Sequence, residues 1–133
     1  MGQHPNRILF VCVENACRSQ MAAGFARALA PDHFEIYSAG SRPSGVVNPR
    51  AIQFMAEVGI DISKESSKSI SEVPQQGYAA VVTMGCGDAC PFIKAERHID
   101  WSLPDPKLLS DDEFRRIRDE IKARVEALLK SVT

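Results

Sequence analysis

The run Ile8-Leu-Phe-Val-Cys-Val13 is apolar at every position, the pattern of a strand buried on both faces within a parallel sheet. The period then changes. Ala22, Phe25, Ala26 and Leu29 recur at helical spacing, Ser19 stands where an N-cap belongs, and Pro31 stops the helix. Phe34, Ile36 and Ser38 alternate with Glu35 and Tyr37, which predicts a second strand ending at Ala39-Gly40 and a loop through Val47. Asn48 followed by Pro49 reads as the start of another helix, with Ile52, Met55 and Ala56 as its apolar stripe and Gly59 as a left-handed C-terminal cap. Residues 60 to 78 are polar and show no clear period.

Ala79-Ala-Val-Val-Thr-Met84 predicts a further buried strand, and a short strand is expected near Arg97 to Trp101, ahead of Pro104-Asp-Pro106. Ser110 with Glu113 forms a capping box for a long closing helix striped by Phe114, Ile117, Ile121, Val125 and Leu128. Strands alternating with helices imply an α/β three-layer sandwich, a four-stranded parallel sheet flanked by helices, with functional loops at the strand C-terminal ends.

A length of 133 residues is enough for one domain with a real core, so residues 1–133 are read as a single unit. Hydrophobic residues at 44% and charged residues at 25% match ordinary globular chains and argue against disorder or a fibrous repeat. Sixteen Lys plus Arg against 17 Asp plus Glu, with no long run of one sign, argue against nucleic acid or a membrane surface as the partner. A small substrate is expected instead. No apolar run approaches the ~20 residues of a membrane span, and the first seven residues lack the apolar centre of a signal peptide, so the cytoplasm is the expected compartment. There Cys12, Cys17, Cys86 and Cys90 are expected as thiols, catalytic groups or metal ligands rather than structural bridges.

Cys12-Val-Glu-Asn-Ala-Cys-Arg18-Ser19 places a cysteine and an arginine six apart between a buried strand and a helix start. Successive backbone N–H groups and the helix dipole there attract a tetrahedral oxyanion, Arg18 can hold two of its oxygens in a fork, and the same field favours a thiolate. Cys12 is therefore the candidate nucleophile, with Val13, Glu14, Asn15, Ala16, Cys17, Arg18 and Ser19 lining the candidate substrate site. A bare Cys-x5-Arg spacing is equally compatible with a buried, inert cysteine and a solvated arginine; the strand-to-helix junction is what favours the anion site. Cys17 reads as a structural or accessory thiol.

The segment from Ile8 to Ala22 resembles the opening of low-molecular-weight tyrosine phosphatases and of the arsenate reductases built on that fold. Tyr37-Ser-Ala-Gly40, Asn48-Pro-Arg-Ala-Ile52, Val81-Val-Thr-Met84 and Asp105-Pro106 are similar to further landmarks of that family, in the same order, so the resemblance spans nearly the whole chain. It implies the low-molecular-weight tyrosine phosphatase fold, Cys12 as nucleophile, Arg18 as oxyanion binder, Asn15 as loop stabiliser, Ser19 as the hydroxyl supporting the thiolate, and Asp105 as general acid. Asp-Pro alone also has a purely turn-shaping explanation. Two positions depart from the family pattern. Glu14 stands where many members have glycine, bringing a carboxylate towards the incoming anion, and Ala23 stands where some arsenate reductases have an acidic residue for a potassium ion, so no metal site is expected.

Both phosphate-ester hydrolysis and arsenate reduction begin with thiolate attack on a tetrahedral oxyanion, so the fold does not choose between them. Reduction needs two further electrons, which a thiol supplies by attacking the arsenylated cysteine and leaving a disulfide. Met84-Gly-Cys-Gly-Asp-Ala-Cys-Pro91 resembles the redox segment of three-cysteine arsenate reductases, with fewer residues between the two cysteines than in the better-known members. The resemblance implies that Cys86 attacks Cys12, that Cys90 then attacks Cys86, and that thioredoxin reduces the resulting pair without a bound cofactor. On residue type alone, Cys86 and Cys90 could also be inert loop thiols or half of a metal site, although His4, His33 and His98 have no ligand-like spacing. Residues four apart in an intact helix have Cβ atoms ~5 to 6 Å apart, wider than the ~3.5 to 4.5 Å of a disulfide, so that pairing needs local unwinding, which Gly85 and Gly87 permit. Phosphatases of the family follow Asp-Pro with paired tyrosines, whereas Lys107-Leu-Leu109 follows here. Arsenate reduction is thus the expected activity and phosphomonoester hydrolysis the alternative.

Overall fold

The computed structural model describes residues 5–85 and 92–132. Strand β1 (Arg7–Cys12), helix α1 (Arg18–Leu29), β2 (Glu35–Gly40), α2 (Pro49–Glu57), β3 (Tyr78–Thr83), β4 (His98–Asp100) and α3 (Asp111–Val132) follow in that order, with single 3-10 turns at Ile70–Glu72 and Pro106–Leu108. The four strands form one parallel sheet in the order β2-β1-β3-β4. Because β1 is paired to β2 on one side and β3 on the other, the chain direction across the sheet reverses at β1. The loop leaving β1 therefore opens into the crevice where such sheets bind ligands.

The alternation within β1 explains its unbroken apolar run. Ile8, Phe10 and Cys12 pack into a core shared with α1, α2 and α3, while Leu9 and Val11 face a smaller cluster closed by Ile70, Val73, Tyr78 and Ile93. Both faces are thus dry, as a strand central to a parallel sheet requires. The α/β architecture with a four-stranded parallel sheet is the one expected, and among the described residues the second face is covered by the 3-10 turn and the chain around Ile93 rather than by a long helix.

Local chemistry accounts for most boundaries. Asn48 caps α2 by accepting from the Arg50 N–H at 2.8 Å with Pro49 in the first turn, Gly59 takes φ 81° just past the helix end, and Ser110 Oγ accepts from the Glu113 N–H at 3.2 Å at the start of α3. Two expectations need correction. Ser19 is not an N-cap: Cys17 holds that position with no side-chain cap, and Ser19 lies in the first turn, fully buried. The apolar face of α2 is Ala51, Phe54 and Met55, with Ala56 exposed, because α3 crosses that side and seats Phe114 against Phe54 at 4.9 Å between ring centroids. Arg118, which looks like a solvent-facing residue of α3, is buried, donating to the Phe54 carbonyl at 3.0 Å and to Glu57 Oε1 at 2.7 Å. The guanidinium of Arg115, together with Arg118, holds the Glu57 carboxyl down at about 2, so the charged residues of this helix have a structural explanation.

Candidate functional site

The loop from Cys12 to Arg18 turns its carbonyls outwards. Those of Cys12, Val13, Glu14 and Ala16 accept from the N–H groups of Ser41 at 3.4 Å, Arg42 at 2.8 Å, Ser44 at 3.1 Å and Asn48 at 3.0 Å. The N–H groups of Glu14, Asn15, Ala16 and Cys17 find no acceptor among the described residues, which leaves them available to an anion next to the N-terminus of α1. Gly40 makes this packing possible: a Cβ there would lie 2.6 Å from the Val13 oxygen and 2.9 Å from the Asn15 nitrogen.

Asn15 has φ 52°, a left-handed conformation that asparagine tolerates better than other side chains with a Cβ. Its side chain locks the turn. Oδ1 accepts from Gln20 Nε2 at 3.0 Å and from the Lys68 N–H at 2.9 Å, while Nδ2 donates to Ser19 Oγ at 2.8 Å. Since Ser19 Oγ accepts from that amide, its own proton is free to point at Cys12 Sγ, 2.9 Å away. That hydrogen bond strengthens as negative charge builds on sulfur. Gln20, which also reaches the Ser66 carbonyl at 2.9 Å, ties the loop to residues 66–68. No sequence periodicity marks Gln20 for this task; only its burial at 0% exposure reveals it.

Arg18 is 7% exposed. Nη1 donates to the Leu103 carbonyl at 2.9 Å and Nη2 lies 3.9 Å from Asp105 Oδ2, so part of a five-donor fork stays available to a tetrahedral anion. Cys12, Glu14, Ala16, Cys17, Arg18 and Asp105 line one narrow pocket. Asp105, two residues beyond Leu103 in the chain, caps its 3-10 turn by accepting from the Lys107 N–H at 3.1 Å. The Cys17 thiol is pushed up to about 12, first by burial and then by the negative charge of Asp105, so it stays protonated at neutral pH and is a poor nucleophile there. Glu14 turns its carboxylate to Lys107 Nζ at 3.2 Å.

Gly85 has φ 83° and lies so close to Arg18 that a Cβ would collide with the guanidinium. Gly85→Ala is therefore expected to displace Arg18, lowering kcat/KM by about 10- to 100-fold, as steady-state kinetics with the oxyanion substrate would measure; wild-type kinetics would show the close approach to be inconsequential. Cys86 and Cys90 lie outside the described residues. Among the described residues no cluster of His, Cys, Asp and Glu could hold a metal ion, and Ala23 is buried in the core. No helix there is long and apolar enough to cross a membrane.

The family model for low molecular weight phosphotyrosine protein phosphatase matches residues 7–133. The chain is 40% identical to a glutaredoxin arsenate reductase of Synechocystis sp., over 96% of this chain and 98% of that protein. Among solved structures, an arsenate reductase in the phosphate binding state superposes with a TM-score of 0.88 at 40% identity, covering 96% of this chain and 99% of that one. A thioredoxin-dependent arsenate reductase of Corynebacterium glutamicum superposes with a TM-score of 0.79 at 32% identity, covering 99% of this chain and 64% of that one.

Proposed function

Because the chain belongs to the low-molecular-weight phosphotyrosine protein phosphatase family, we propose that it applies the family's thiolate chemistry to arsenate, reducing it to arsenite. The Cys12 thiolate attacks arsenic, and one arsenate oxygen leaves as water after protonation by Asp105. The loop N–H groups and Arg18 hold the remaining oxygens. The Cys86 thiolate then attacks Cys12 Sγ: a sulfur–sulfur bond forms, the sulfur–arsenic bond breaks, and its electron pair stays on arsenic, which departs as arsenite. Cys90 next attacks Cys86, releasing the Cys12 thiolate and leaving a Cys86–Cys90 disulfide.

The observation that carries this reading is the contact of Gly85 with Arg18. Cys86 is the next residue of the chain, one peptide bond beyond a residue set against the anion-binding arginine. Relatives named as arsenate reductases support the same chemistry. Thioredoxin is the proposed electron donor, supported by the thioredoxin-dependent structural relative, and the cycle belongs in the cytoplasm, where thiols are kept reduced. Phosphomonoester hydrolysis is the side activity expected of the same pocket, since Asp105 lines it together with Cys12.

A coupled assay with arsenate, thioredoxin, thioredoxin reductase and NADPH tests the proposal, with glutaredoxin and glutathione as a parallel arm because one relative is a glutaredoxin arsenate reductase. NADPH oxidation matched mole for mole by arsenite is the expected result in the thioredoxin arm. Turnover in the glutaredoxin arm alone replaces the donor. No turnover in either arm, with phenyl phosphate hydrolysed, replaces the reductase with the phosphatase.

A further inference from the structure

Glu14 poses a problem for any anion pocket. Glu14 belongs to the loop and lines the same pocket as Cys12 and Arg18. A carboxylate ~6 Å from a dianion weakens binding about tenfold even in a water-like dielectric. The Lys107 ammonium sits 3.2 Å from Glu14 Oε1, and it is delivered there by a fixed backbone rather than by a free side chain. Its N–H donates to Asp105 Oδ1 at 3.1 Å, and its carbonyl accepts from Arg50 Nη1 at 3.1 Å. Arg50 is itself held by Asp111 Oδ1 at 3.0 Å and stacks 4.8 Å over the Phe114 ring. Hydrogen bonding to Glu14 raises the pKa of Lys107, so its ammonium stays charged across the neutral range.

We propose that Lys107 is a positioning residue for oxyanion binding: by pairing with Glu14 at the rim it turns the one carboxylate of the loop away from the anion. The inference rests on the anion pocket assigned above and not on the redox steps. Lys107 acts through Glu14, so its effect disappears when Glu14 carries no charge. Both side chains are about two-fifths exposed, which lets salt screen the effect to roughly fivefold to tenfold.

Inorganic phosphate, titrated calorimetrically into the reduced full chain, probes the pocket without any redox step. Lys107→Met, which removes the charge and keeps the stem, is expected to weaken phosphate about fivefold to tenfold and to raise KM for arsenate by the same factor, the loss falling on KM rather than kcat. Glu14→Gln is expected to bind phosphate at least as tightly as the wild type, and the double variant to follow Glu14→Gln. Unchanged phosphate affinity in Lys107→Met overturns the inference, and so does a double variant as weak as Lys107→Met, because Lys107 would then act on the anion directly. If phosphate affinities follow the expected order while no variant, nor the wild type, reduces arsenate, the inference stands and the reductase reading falls.

Discussion

Cys12→Ser is expected to abolish arsenate reduction and phenyl phosphate hydrolysis together, by at least ~10³-fold, because a hydroxyl in place of the thiolate removes the attacking group of both reactions. The variant should still fold. Serine is smaller than cysteine, and Cys12 Sγ already has a hydroxyl neighbour in Ser19 Oγ at 2.9 Å. Arg18→Lys should lose about 10²- to 10³-fold for a different reason. The guanidinium is buried against the Leu103 carbonyl at 2.9 Å with Asp105 beyond it, and an ammonium cannot hold that carbonyl and two anion oxygens in one plane. Steady-state rates with both substrates check the pair, and retained turnover in Cys12→Ser would remove the nucleophile assignment.

Cys86→Ser and Cys90→Ser are expected to fail at different steps, and the difference is as large as the loss itself. Without Cys86 no electron donor reaches arsenylated Cys12, so arsenite is not released, while phenyl phosphate hydrolysis, which needs only Cys12, Arg18 and Asp105, survives. Without Cys90 the protein should release one equivalent of arsenite and stop as a Cys12–Cys86 disulfide. Cys17 is not expected to resolve that disulfide, since burial pushes its thiol up to about 12 and leaves little thiolate at neutral pH. Peptide mapping after one equivalent of arsenate reads the pairing: Cys86–Cys90 in the wild type and Cys12–Cys86 in Cys90→Ser. Thiols that all stay free in the wild type would sink the relay.

The unbroken apolar runs that become β1 and β3, the Asn48-Pro49 start of α2, the Gly59 cap and the Ser110 start of α3 are legible in sequence because each depends on neighbours within a few residues. The same holds for the loop itself, where strand, turn and helix follow without interruption and place Cys12 and Arg18 on either side of a set of N–H groups. Ser19 shows where such reading goes astray. A hydroxyl at a helix start resembles a cap locally, yet this one turns inward because Asn15 and Cys12 offer it partners inside the fold. Glu14 is a second case: as a lone letter it opposes the anion, and its pairing with Lys107, 93 residues away, is invisible in any window.

By itself, then, the sequence determined the order of elements, the parallel α/β architecture and the strand-turn-helix loop that carries Cys12 and Arg18, since periodicity, caps and turns act over distances that a short window spans. Tertiary structure alone decided which groups surround that loop. Pairing β1 between β2 and β3 brings Gly40 under the turn and Gly85 against Arg18, and packing α3 on α2 sets Arg50 to hold the Lys107 backbone while Asp105 lines the pocket and Lys107 meets Glu14. Those contacts join residues far apart in the chain, and their identities follow from which strands are neighbours and which helix faces are buried, information that no local pattern of residues carries.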